Sequence, residues 1–108
     1  MRYRVLVTAQ AKTNLRDYYV RAAEVAPVTA DRWLVRFESA LQSLADYPER
    51  CGLAPENDLV TPTIRQLLFG RTSSVFRVLF TVIGDEVRIL HIRRGVMTNA
   101  DAADLFGE

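Results

Sequence analysis

The chain has 108 residues, 49% hydrophobic and 25% charged, the ordinary globular balance in a length suited to one domain spanning 1–108. No apolar run approaches the roughly 20 residues of a bilayer span, and the opening MRYRVLVTAQ lacks the apolar length and cleavage site of a signal peptide, so a cytoplasmic protein without membrane contact is expected. A net charge of +1 conceals a segregation: residues 1–63 sum to zero, Ile64–Gly95 sets six arginines against Asp85 and Glu86 for a net +4, and residues 96–108 hold only Asp101, Asp104 and Glu108.

Tyr3–Val7 alternates and is rich in β-formers, which predicts a strand. Thr8 follows as a helix cap, and Ala11, Leu15, Tyr18, Ala22 and Val25 recur at helical spacing up to Pro27. Thr29 is the expected cap of a second helix. Its stripe of Trp33, Phe37, Leu41 and Leu44, widened by Leu34, is read as core, and Tyr47-Pro48 closes it. The short connection predicts an antiparallel helical hairpin. Residues 48–63 hold Pro48, Gly52, Pro55 and Pro62 and read as a long irregular loop of the kind that orders against a partner.

Three strands are predicted next, over Ile64–Phe69, Ser74–Ile83 and Glu86–Arg93. Gly84-Asp85 is a two-residue turn with glycine first, as type II′ prefers. That turn sets Ile83 opposite Glu86, Phe80 opposite Ile89, Val78 opposite His91 and Arg77 opposite Ile92. One face then carries Phe76, Val78, Phe80, Val82, Val87, Ile89 and His91 and belongs against the helices. The other carries Arg77, Leu79, Thr81, Arg88, Leu90 and Ile92, with Arg94 beside Arg77, and is open to solvent. Arg65 falls on one face or the other according to the length of the loop after Phe69. Thr98-Asn99 supply caps for a short terminal helix within Met97–Phe106. The predicted fold is α+β: a helical hairpin on a small, mainly antiparallel sheet in the order β-α-α-β-β-β.

The candidate anion-binding residues are Arg65, Arg71, Arg77, Arg88, Arg93 and Arg94. Lys12 is the only lysine against thirteen arginines. Arginine forms bidentate contacts with phosphate or carboxylate but does not deprotonate near neutral pH, so this set grips anions better than it moves protons. With one histidine, His91, read as a packed core residue, and one cysteine, Cys51, read as a reduced thiol, the chain cannot assemble a zinc site of the usual type. No metal or cofactor is expected, and a nucleophile–histidine system has only His91 to recruit.

The pieces resemble the RelE/ParE superfamily of bacterial type II toxin–antitoxin toxins over nearly the whole length. They are the first strand with Thr8-Ala9-Gln10-Ala11, the second helix ending Leu41-x-x-Leu44-x-x-x-Pro48, Ile64-Arg65-x-Leu67, Phe76-Arg77-Val78-Leu79-Phe80, and Val87-Arg88-Ile89-Leu90-His91-x-Arg93. The resemblance implies a toxin of a plasmid-stabilisation module, neutralised by a cognate antitoxin in a hetero-oligomer. RelE-like members cleave mRNA on the ribosome; ParE-like members inhibit DNA gyrase. If this chain were a nuclease, Arg65, Arg77, Arg93 and Arg94 would surround the scissile phosphate. However, the sheet has no lysine, and no Tyr or His follows His91 to act as base. The ending Ile89-Leu90-His91-x-Arg93, then Met97-Thr98 and an Ala/Leu-rich tail, is similar to the ParE branch. The first reading is therefore a gyrase inhibitor, the second a ribosome-dependent endoribonuclease, and the third a non-toxic module that binds nucleic acid or protein.

Overall fold

The computed structural model describes residues 2–59, 63–70 and 75–95. Strand β1 (Arg4–Val7) leads into α1 (Ala9–Val25) and α2 (Pro27–Gln42), and three short 3₁₀ turns follow at Ser43–Ala45, Pro48–Arg50 and Pro55–Leu59. Strands β2 (Arg65–Phe69), β3 (Val75–Ile83) and β4 (Glu86–Gly95) complete a four-stranded sheet in the order β1-β4-β3-β2. β1 runs parallel to β4 at one edge, and the other pairs are antiparallel. This is the expected α+β order. The expected helix within Met97–Phe106, and Ser74 at the head of the third strand, lie outside the described residues.

Local chemistry explains the element boundaries. Thr8 caps α1 by accepting the Ala11 N–H at 3.3 Å, while its hydroxyl donates to the Ile89 carbonyl at 2.7 Å, tying helix start to β4. α1 stops at Val25 because the residue before Pro27 avoids helical geometry. α2 begins at Pro27, two residues ahead of Thr29, since proline at the first turn needs no N–H partner. Thr29 is therefore not its cap. Tyr47, in a left-handed conformation (φ 58°), turns the chain into Pro48.

The core forms where the α1–α2 hairpin covers one sheet face. Phe37, Leu44, Val78, Phe80, Val87, Ile89 and Ile92 are fully buried there. Phe37 sits at the centre of an aromatic cluster, its ring 4.6 Å from Phe69, 5.1 Å from Trp33 and 5.7 Å from Phe76 between centroids. The apolar stripe of the second helix is thus core, as its spacing predicted.

The hairpin register holds as far as Phe80 opposite Ile89 and then changes. A β-bulge lets Leu79 pair with His91, so Val78 faces Ile92 and Arg77 faces Arg93. Gly84 alone in the turn has positive φ (62°), as a type II′ turn requires. The extra residue reverses every later side chain on β4. Ile92 turns into the core, and Arg94 joins the helix side. His91, expected on the apolar face, lies instead on the opposite face with Leu79 and Arg77. β1 ends opposite Ile89, so among the described residues the outer edge of β4 has no strand partner beyond that point. Asn14 and Tyr18, one turn apart on α1, fill the gap: Asn14 Oδ1 accepts the Ile92 N–H at 3.1 Å and Tyr18 Oη accepts the Arg94 N–H at 2.9 Å.

Candidate functional site

The face away from the helices is not open as the sequence predicted. The segment after Arg50 folds back over it. The Gln66 N–H donates to the Gly52 carbonyl at 3.0 Å, the Ala54 N–H to the Ile64 carbonyl at 2.9 Å, and the Thr81 hydroxyl to the Thr63 carbonyl at 2.7 Å. Asn57 Oδ1 accepts the Ile64 N–H at 2.8 Å. Ala54, Ile64 and Leu79, with Leu90 against them, make a second small core under this segment. The expected partner-dependent loop is therefore, within residues 48–59, packed on its own sheet.

Arg77 lies beneath that cover. It is only 4% exposed and pairs through Nη2 with Oε1 of Glu56, which is 0% exposed, while its Nε donates to Gln66 Oε1 at 3.0 Å. The sequence placed Arg77 on a solvated face beside Arg94, awaiting an external anion. The anion is internal: Glu56, brought over mid-strand β3 by the 3₁₀ turn at Pro55–Leu59. A buried guanidinium is tolerable only with such a carboxylate.

The other arginines separate. Arg65 sits on the helix side at the edge strand, and its guanidinium donates to the Cys51 carbonyl at 2.7 Å, tying β2 to the turn at Pro48–Arg50. Arg88 is exposed on the far face, its Nε donating to Glu86 Oε1 at 2.6 Å, and Arg4 reaches Asp85 in the hairpin turn and Glu86 at the start of the neighbouring strand. Arg93 is half-buried opposite Arg77. Arg94 is exposed on the helix side. Arg71 lies outside the described residues. The five described arginines do not converge on one patch; among them the fold brings together only Arg77 and Arg93, with His91 on the same face.

The family model described as "ParE toxin of type II toxin-antitoxin system, parDE" matches residues 5–98. The chain belongs to the ParE toxin family. A solved structure described as the chromosomal ParDE toxin–antitoxin system from P. aeruginosa contains a chain of similar fold, with 22% identity and a TM-score of 0.68, covering 85% of this chain and 95% of that one. No curated protein matches the chain.

In this ParE-family chain the sheet's central arginine therefore has a structural use. With its carboxylate in place, the Arg77 guanidinium is not available to a phosphate. Cys51 is also buried; burial raises its thiol pKa, and the nearby Arg50 and Arg65 only partly oppose this, so it is a poor nucleophile near neutral pH. Among the described residues no cluster of His, Cys, Asp and Glu is placed to hold a metal, and no helix is long and apolar enough to cross a membrane.

Sequence reasoning missed Glu56 and Gln66 because nothing local marks a loop carboxylate as the mate of an arginine 21 positions away. It also missed Arg21 and Arg36, which lie on the helices outside the basic segment yet gather beside Arg94.

Proposed function

We propose that the chain is a toxin that binds and inhibits DNA gyrase in the cytoplasm, and that a cognate antitoxin neutralises it in a hetero-oligomer. Membership of the ParE family supports the toxin role. The burial of Arg77 against Glu56 carries the choice of target, because the resemblance gives a ribonuclease that arginine for its phosphate. A gyrase inhibitor works by fitting a protein surface and needs no exposed catalytic cation. In this reading Arg88 and Arg93 on the far face, Arg65 and Arg94 on the helix side, and Arg71 are the candidate target-contacting cations, while Arg77 holds the fold.

One observation favours the endoribonuclease as a second reading. The bulge sets His91 on the same face as Arg77 and Arg93, supplying a histidine where the expected register had none. The two readings part in a paired assay. Added to gyrase and relaxed plasmid, the purified chain should suppress supercoiling in proportion to its concentration. Added to a translating extract, it should leave mRNA whole. Undiminished supercoiling at molar excess would reject the gyrase reading, and cleaved message would select the ribonuclease.

A further inference from the structure

The helix side carries a second group of cations, away from the covered face. Arg21 of α1, Arg36 of α2 and Arg94 of β4 border a cavity of about 410 Å³ whose lining includes Tyr18, Trp33 and Phe76. Phe76 and Arg94 are paired across β3 and β4 and share the helix-side face, and Tyr18 Oη accepts the Arg94 N–H at 2.9 Å. The Phe76 ring packs 5.0 Å from Tyr18 and 5.3 Å from Trp33 between centroids, so the aromatic floor is fixed, while Tyr18 and Trp33 are themselves only half-buried. Among the described residues no carboxylate lines this cavity, and none stands within ion-pair distance of the three guanidinium groups. Asp17 and Glu24, on the same helix as Arg21, lie outside the lining. Three like charges set around one concavity repel one another until an anion enters it.

We propose that this cavity binds a free nucleotide, with its phosphates among Arg21, Arg36 and Arg94 and its base on the aromatic rings. Three features select that chemistry. The planar guanidinium fork matches phosphate oxygens bidentately. A flat base gains by stacking on aromatic side chains, whatever its identity. The volume lies within the roughly 300–1,000 Å³ of small-molecule sites. The cations come from three elements around one cavity, an arrangement that suits a compact polyanion better than a chain laid along a track. No carboxylate or histidine is among the lining residues, so the bound nucleotide is released unchanged. The site goes beyond the toxin reading and uses neither Arg77 nor its cover. The end of a DNA strand carries the same phosphate and base chemistry, and the experiment separates the two sources.

Trp33 is the only tryptophan and reports on the cavity directly. ATP titrated into the full-length protein should change Trp33 fluorescence to saturation. Adenosine and inorganic tripolyphosphate each supply half of the match, and each should bind about tenfold more weakly than ATP or worse. Arg36→Gln and Arg94→Gln, checked for native circular dichroism, should each weaken ATP by about five- to tenfold. Arg88→Gln removes the same charge from the far face and should bind ATP like the parent. Absence of a saturable change with ATP would overturn the proposal. So would tripolyphosphate binding as tightly as ATP, which leaves no role for the aromatic floor, or an equal loss in Arg88→Gln, which reduces the effect to overall charge. A short oligothymidylate, or an acidic peptide carrying phenylalanine, that displaces ATP at lower concentration would also overturn it and give the cavity to a DNA strand or a protein partner. The assay contains neither gyrase nor ribosomes, so its outcome is independent of the toxin's target.

Discussion

Glu56→Ala should lower the unfolding free energy by about 3–5 kcal/mol, the usual cost of removing one member of a buried ion pair. The alanine leaves the Arg77 guanidinium in an environment 4% exposed, with Gln66 as its remaining partner. The expected readout is a lower urea midpoint with an unchanged slope. Where the covering segment lifts to hydrate Arg77 instead, the loss appears as faster amide exchange at Ala54, Ile64 and Gln66, whose N–H groups hold that segment to β2. The double variant Glu56→Leu/Arg77→Met should stay close to the parent, because replacing a buried pair with apolar groups of similar size is often neutral or better. A single variant as stable as the parent would mean that the carboxylate is not what holds Arg77.

Phe37→Ala should cost about 3–5 kcal/mol, a large part of the 5–15 kcal/mol that holds a typical domain together. Phe37 is completely buried and touches Trp33, Phe69 and Phe76, so its ring joins α2 to β2 and β3 at once. The lost transfer energy adds to the cost of a cavity that three fixed rings cannot collapse to fill. Thermal unfolding should reveal a large drop in midpoint, while Phe37→Leu should recover much of it. A mild effect from alanine would place the weight of the core elsewhere.

The helices and most of the sheet were legible because their periodicities are local. Trp33, Phe37, Leu41 and Leu44 recur at helical spacing, and Gly84-Asp85 names its own turn and the first pairs beyond it. The bulge between Phe80 and Leu79 was not legible, since an extra residue in a strand rich in β-formers leaves no mark on the alternation. That one residue moved His91 out of the core face and Ile92 into it. Ile92 is an equally good core residue, so the apolar pattern tolerated either register. The alternation places Arg77 on the correct face but carries no information on its exposure. Whether an arginine on a strand meets solvent, a substrate or a carboxylate depends on the route of a proline-bearing loop, and proline shows that a loop turns without showing where it goes. The segregation of charge along the sequence is real, yet the pleat and the bulge divide the described arginines of that segment between two faces, and two helical arginines lie beside Arg94 on one of them.

The most direct measurement is gyrase supercoiling in the presence of the folded Glu56→Leu/Arg77→Met double variant. If Arg77 serves the fold alone, the double variant should inhibit supercoiling within a few-fold of the parent, since an apolar pair under the same cover leaves the target-facing surface unchanged. A double variant that keeps its native fold and loses inhibition, beside a parent that inhibits, would show that Arg77 acts on the target and would contradict the role assigned to its partnership with Glu56.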